Sequence, residues 1–345
     1  MELNNLLAMM QAEIEAILRD AIANNKRVTS EYVKEQFSRR FQRKLKPDFT
    51  FYDYYNQFIE ISETIKGSGV IAVYNASLKR LKEFETTENF KISFDRIDNT
   101  FYEKFVNFLI DNHRLNNNSV GKHIKTLKTF LNWATDKEYN KNMTFSKFKV
   151  FKEDADTIYL NEDELNKLYQ LDLKSRPGVE RVRDAFLVQC YTGLRFSDIS
   201  NLKAENFNES YIMIGIIKTR ERLRIPLIPR AQAILSKYEN YCIELPTNQK
   251  MNKHLKELGR LAGFDELVQV ITYRGSKREE RTIPKSDLLT THCGRRTFIT
   301  LSLEKGMRAE LVMKVTGHRS TAVFRKYIKL TDNVVNDEMQ KAWTI

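Results

Sequence analysis

The stretch RVRDAFLVQCYTGLRFSDISNLKAENFNESYIMIGIIKTRERLRIPL, residues 181–227, decides the fold. It opens on a helix that stops at Gly193, the residue type that most often ends a helix. YIMIGII and RLRIPLI then alternate as two strands joined by a turn around Lys218–Glu221. Most of the remaining chain reads as helical, interrupted by a short hairpin at Val268–Pro284. Twelve Gly and six Pro in 345 residues are few for an all-β fold with many tight turns. The expectation is a mainly α chain with a small antiparallel β-sheet.

A length of 345 residues exceeds what one hydrophobic core usually serves. Upstream of the deciding stretch, TIYLNEDELNKLYQL starts a domain, with Asn161 as helix cap and Glu164 as its capping-box partner. The polar run Lys149–Asp156 reads as a linker. Before it, Phe49 to about Lys141 reads as a bundle of four or five helices, with Phe51, Tyr54, Tyr55 and Phe58 as core. GSGV breaks that bundle, VYNASLKRLKEF resumes it, and Asp98 and Asn99 introduce TFYEKFVNFLIDN. The first 45 residues carry Leu6, Leu7, Met10, Ile14, Ile17, Leu18 and Ile22 at helical spacing, then a second helix after Thr29 or Ser30. RRFQRKLKP closes this extension, as a linker lying on a polyanion or as a solvated hinge. The boundaries are therefore 1–45 for an N-terminal extension, 49–142 for a helical domain and 155–345 for a second domain.

Ser119 can cap the long helix SVGKHIKTLKTFLNWATDKEY. Val120, Ile124, Leu127, Leu131 and Ala134 form its apolar stripe, while Lys122, Lys125, Thr126, Lys128 and Thr129 lie largely away from it. A basic face with hydroxyls suits a phosphate backbone, because each bound lysine releases counterions; a plain solvated lysine face reads equally well. Over the whole chain, 57 Lys and Arg outnumber 45 Asp and Glu, a formal charge of +12. That excess points to a polyanionic partner, nucleic acid first. Cys190, Cys242 and Cys293 form no CxxC and no even framework, which fits a reducing cytoplasm. No apolar run approaches the ~18 residues of a membrane span. The N-terminus carries acids early and reads as an amphipathic helix rather than a signal peptide.

Five short patches supply what phosphodiester transfer needs. TGLRFSDISNL has Arg195 just past a helix end and Asp198 three residues on. IIKTRERLRIPL has Lys218 at the hairpin tip. THCGRRTFIT sets His292 and Arg295 at i and i+3, on one helix face. TGHRS offers His318 after a glycine. FRKYIKL holds Tyr327, nine residues beyond His318. In order and at these spacings, the patches closely resemble the tyrosine recombinase (phage integrase) family, over about residues 49 to 330. The wording around the motifs is most similar to integrases of conjugative transposons and related mobile elements.

The resemblance implies a two-domain C-shaped clamp, with a SAM-like helical core-binding domain in front of an α-helical catalytic domain. It also implies a catalytic set of Arg195, Lys218, His292, Arg295, His318 and Tyr327. A phosphodiester is anionic, and its pentacoordinate transition state gathers charge on the non-bridging oxygens. Two guanidiniums, Arg195 and Arg295, can clamp those oxygens while staying charged. His292 and His318 can add hydrogen bonds, and His292 can accept the tyrosine proton. Tyr327 attacks phosphorus and becomes joined to the 3′ phosphate, and Lys218 protonates the 5′ oxygen that leaves. The phosphotyrosine keeps the energy of the broken bond, so religation needs no ATP. No carboxylate cluster suggests a metal and no cofactor is implied; Asp198 is read as an acid that orients Arg195 or a nearby histidine.

Three positions depart from the family pattern. Arg296 stands where many relatives carry a second His and is expected to add a phosphate contact. Asp198 stands where Glu is frequent. Residues 1–45 show helices where relatives with an arm-binding domain often begin with a small sheet. Arg220, Arg222 and Arg224 alternate along one strand face beside Lys218, and together with Arg319 complete the residues expected on DNA. The tail TDNVVNDEMQKAW puts Val335, Met339 and Trp343 on one stripe, for a neighbouring subunit by resemblance or for folding back in cis. The partners implied are double-stranded DNA, a homo-tetramer at synapsis, and DNA-bending host factors or an excisionase, with no membrane. Type IB topoisomerases share this chemistry, and a non-catalytic DNA-binding protein is the rival of another class; the complete catalytic set and the helical bundle in front favour a recombinase.

Overall fold

Capping side chains set several helix starts in this computed structural model, which describes residues 3–45, 49–154, 157–208, 210–215, 222–328, 339–340 and 343. The chain divides into two units, Met1–Glu153 with Tyr273–Lys277 and Asp154–Thr272 with Arg278–Ile345. Among the described residues no helix is long and apolar enough to cross a membrane.

The first unit is helical. Helix α1 (Leu3–Ala23) packs on α2 (Ser30–Leu45), whose cap is Thr29: its hydroxyl accepts from Tyr32 N–H at 3.1 Å. The buried face of α1 is narrower than the expected stripe. Ile17 and Ala21 are fully buried and Glu13 is buried with them, while Leu7, Ile14 and Ile22 are exposed, Ile22 to 71%. Arg40 on α2 closes the pair with a 2.7 Å bond to Asp20. Helix α3 (Phe51–Glu63) starts in a capping box between Thr50 and Asp53, and α4 (Ser68–Thr87) starts directly after Gly67. Of the GSGV expected as a break, Gly67 is the cap position and Ser68–Val70 already form the first turn of α4. Helix α5 (Asn99–Asp111) is capped by Asp98, as expected. Helix α6 (Asn117–Asp136) begins earlier than expected, because Asn116 accepts from Ser119 N–H at 2.9 Å and Ser119 is its third residue.

Aromatic rings fill the space between these helices. Phe130 of α6 is fully buried, 5.2 Å from the Phe51 ring and 4.3 Å from that of Tyr55. Phe84, Phe101, Phe105 and Phe108 form a second cluster in the same core. The stripe Val120, Ile124, Leu127, Leu131 and Ala134 is buried as its spacing predicts. The opposite face of α6 is divided. Lys122 and Lys125 are exposed. Thr126 is buried, and Lys128, expected on phosphate, donates to the carbonyls of Ser146 at 2.8 Å and Phe148 at 2.9 Å. The chain returning from a short 3₁₀ turn leaves those carbonyls unpaired, and an ammonium satisfies both at once.

That return runs against α6. Asn118 exchanges bonds with Glu153, accepting from its N–H at 2.9 Å and donating to its carbonyl at 3.1 Å. A Cβ on Gly121 would lie 2.0 Å from the Phe151 carbonyl oxygen. Gly121→Ala is expected to lower unfolding stability by ~2–3 kcal/mol in urea titration, as overpacking against backbone does. Wild-type stability would show that segment 149–153 yields freely.

The second unit centres on a helix buried nearly all round. Helices α7 (Glu162–Gln170), α8 (Pro177–Thr192) and α9 (Phe196–Ile199) open it, and α7 has the expected Asn161–Glu164 capping box. Three antiparallel strands come next: β1 (Phe207–Asn208), β2 (Tyr211–Gly215) and β3 (Arg222–Pro226). Met213 pairs with Arg224 and Ile212 with Ile225, so Ile212, Ile214, Leu223 and Ile225 face the core while Arg222 and Arg224 face outward. The expected turn with Lys218 and Arg220 lies outside the described residues. Then come α10 (Pro229–Leu235), α11 (Asn248–Leu261), the hairpin β4 (Leu267–Arg274) and β5 (Lys277–Pro284), α12 (Lys285–Leu288), α13 (Thr291–Glu304), α14 (Ala309–Thr316) and α15 (Thr321–Ile328). Helices α7, α10, α11 and α13 all pack on α8. Val182, Ala185, Phe186, Leu187 and Val188 are accordingly buried on every side of α8, which explains why its sequence shows no amphipathic stripe.

Candidate active site

Helix α8 ends at Gly193 in the left-handed conformation, φ 68° and ψ 11°. A Cβ there would meet Phe298 at 2.6 Å and Thr316 at 2.8 Å, so the turn has room for glycine only. The turn delivers Arg195 to the head of α9, with Nη1 3.7 Å from Asp198 Oδ2. That is an ion pair beyond hydrogen-bond length. Among the described residues, Arg195 Nη1 and Asp198 Oδ2 are buried with no hydrogen-bond partner. Buried polar atoms left this way are uncommon, and a bound anion would give Arg195 Nη1 its missing partner.

Helix α13 lies along α8 and carries His292, Arg295 and Arg296. Arg295 is 2% exposed. Its Nη1 donates to the Gly193 carbonyl at 2.8 Å and its Nη2 to the Thr316 carbonyl at 2.6 Å. Burial lowers its pKa to about 10 and the neighbouring Arg195 pushes the same way, with Tyr327 and Asp198 opposing. Arg296 sits differently from the expected phosphate contact. Its Nη1 donates to the Ile158 carbonyl at 2.9 Å, one of several bonds fastening residues 158–160 to α13; another is Leu160 N–H to Thr297 Oγ1 at 3.0 Å.

Helix α14 ends just before His318. The Thr316 hydroxyl lies 2.7 Å from His318 Nδ1, and Arg295 Nη2 lies 3.2 and 3.3 Å from the two ring nitrogens. Tyr327 is buried on α15 in a small cluster with Ile299, Val312 and Phe324. Its ring centroid is 5.5 Å from that of His318, and its hydroxyl oxygen is 3.3 Å from His292 Nε2. Arg195, Asp198, His292, Arg295, His318 and Tyr327 therefore converge from α8–α9, α13, α14 and α15. Arg319 is exposed beside them. Arg222 and Arg224 are exposed on β3, the Arg224 guanidinium 4.1 Å above the Tyr211 ring. Met339 and Trp343 of the tail stripe are exposed, and Val335 lies outside the described residues. Among the described residues no three His, Cys, Asp or Glu side chains are grouped to hold a metal ion. Sequence reasoning missed two contributors, the Gly193 carbonyl and Thr316. Only the second left a signal, a hydroxyl two positions before the histidine.

Models of two families match the sequence: the phage integrase SAM-like domain over residues 50–150 and the phage integrase family over residues 159–333, more than half of the chain. The chain belongs to the phage integrase family. It is a site-specific DNA recombinase of the tyrosine type. The tyrosine recombinase XerD of Staphylococcus aureus (strain Mu50) is 24% identical over 295 residues, covering 83% of this integrase and 96% of the relative. In fold it is similar to lambda integrase residues 75–356, solved as a dimer bound to a COC′ core site, with TM-score 0.63, 17% identity, and 81% and 95% of the two chains covered. It is also similar to the Tn1549 transposon integrase in complex with a circular intermediate DNA, with TM-score 0.61, 14% identity, and 85% and 100% covered.

Arg195 lies close enough to depress the Arg295 pKa, and two cations held together favour a bound oxyanion. Sulfate, against chloride at matched ionic strength, is expected to raise the integrase's thermal midpoint. At ten times its Kd the gain is about 1.4 kcal/mol, or about 3–6 °C for a unit of this size. Arg195→Gln should abolish the difference between the two salts. An equal sulfate effect in both proteins would reduce it to general salting and remove the anion site.

Proposed function

We propose that this integrase cuts and rejoins duplex DNA through a phosphotyrosine at Tyr327, in the integration and excision of a mobile element. The observation that carries the reading is the Tyr327 hydroxyl 3.3 Å from His292 Nε2, beside the buried Arg295 and its neighbour Arg195. His292 accepts the phenolic proton as Tyr327 Oη attacks phosphorus. The bond from phosphorus to the 5′ oxygen breaks, and Lys218 gives that oxygen its proton. Arg195, Arg295 and His318 stabilise the non-bridging oxygens, and Asp198 orients Arg195. The 5′ hydroxyl of a partner strand then attacks the phosphotyrosine and releases Tyr327, so bond energy is conserved and no nucleotide is consumed.

In this reading residues 155–345 are the catalytic domain, 49–142 bind the core of the DNA site, and 1–45 form an extension. Lys122, Lys125, Arg222, Arg224 and Arg319 are exposed cations suited to backbone phosphates. Two duplexes exchanging strands present four cleavage positions, one tyrosine for each, which makes a tetramer the working assembly. DNA-bending host factors or an excisionase join it, and the enzyme works in the cytoplasm where its DNA is.

The test is a nicked suicide duplex carrying the end of the element that encodes the enzyme, incubated with EDTA. Wild type should give an SDS-resistant protein–DNA band and Tyr327→Phe none, with DNA binding retained in both. Binding without a band from either protein would overturn the catalytic reading in favour of a DNA-binding module. A band accompanied by supercoil relaxation on a plasmid lacking a second site would point to a topoisomerase.

A further inference from the structure

We infer that Thr316 is a positioning residue for strand transfer, holding His318 in one tautomer and one orientation; this rests on the role given to His318 above. Thr316 is the last residue of α14 and is 1% exposed. Its Oγ1 lies 2.6 Å from the Val312 carbonyl oxygen and 2.7 Å from His318 Nδ1. A hydroxyl has one proton, and a carbonyl oxygen only accepts. The Thr316 proton therefore goes to Val312, and the imidazole must supply the other one. His318 Nδ1–H donates to Thr316 Oγ1, an assignment made from the partners as tautomers are.

Arg295 does not compete for that nitrogen. Its Nη2 lies 3.2 Å from Nδ1 and 3.3 Å from Nε2. A donor aligned with one lone pair would be far from the other nitrogen, so the near-equal distances set the guanidinium against the ring instead. With Nδ1 committed as a donor in both charge states, every change of protonation falls on Nε2. Neutral His318 presents an acceptor there, and the imidazolium presents a donor to a phosphate oxygen. Thr316 also fixes the cation beside it, because its own carbonyl accepts from Arg295 Nη2 at 2.6 Å. Valine at this position would keep that carbonyl and a β-branched side chain while removing only the hydroxyl.

The experiment measures single-turnover adduct formation on the suicide duplex for wild type, Thr316→Val and Thr316→Ser, and for Thr316→Val and wild-type Thr316 in a His318→Ala background. Thermal midpoint and DNA affinity are followed in parallel. Thr316→Val should cleave ~10–100-fold more slowly, the usual cost of losing the group that orients a site residue, with DNA affinity unchanged. Thr316→Ser should recover most of the rate, and in His318→Ala the valine should cost nothing further. A Thr316→Val rate equal to wild type, a serine variant as slow as valine, or an undiminished valine effect without His318 would each overturn the inference. Should the valine variant not fold, ¹⁵N shifts of the His318 ring in the wild-type protein decide alone: a proton on Nδ1 supports the inference, and a neutral ring carrying it on Nε2 sinks it. Absence of any wild-type adduct is a separate outcome, because it removes the catalytic reading itself.

Discussion

Burying a guanidinium is costly unless its donors are met, and Arg295 meets them with backbone. Its two carbonyl partners stand at the C-terminal ends of α8 and α14, where the last carbonyls of a helix have no partner of their own and carry the negative end of its dipole. One side chain on α13 thus joins the ends of two other helices. The next residues after those ends are the ones that count, Arg195 beyond α8 and His318 beyond α14. A carboxylate in place of the carbonyls would neutralise Arg295 and hold it more cheaply, but would leave little positive charge for a phosphate. Carbonyl dipoles hold the cation and leave its charge available, which is consistent with a pKa depressed by burial and by Arg195.

Much of this was legible in the sequence, where pattern and physics act locally. The α6 stripe reads correctly because an amphipathic helix on a core has to repeat at 3.6 residues. Gly193 and the i, i+3 pair of His292 and Arg295 read correctly because turn chemistry and helix geometry are local too. Ser119 was displaced as a cap because Asn116, three residues earlier, offers the same kind of acceptor. The α1 stripe misled because α2 is met through Glu13, Ile17 and Ala21, a choice made by packing between helices.

The site shows the same division. Six of its residues could be named from motifs, and they converge. The carbonyl of Gly193 could not, because every residue has a carbonyl and only tertiary structure selects one. Thr316 could not either, because its role depends on a hydroxyl whose proton goes to the Val312 carbonyl. Lys128 and Arg296 illustrate the converse. A cation in a sequence does not say whether its oxygens belong to a nucleic acid or to its own chain, and both of these bond to backbone carbonyls.

That internal use of cations bears on how this integrase should respond to salt. Affinity for DNA falls with ionic strength according to the number of phosphates neutralised, about 0.9 in the logarithmic slope for each. A lysine spanning Ser146 and Phe148, or an arginine on Ile158, keeps its charge but has donors already engaged by its own chain. The formal charge of +12 therefore includes cations whose donors are not all open to a phosphate. Grip on the duplex depends on the smaller set of cations that face outward.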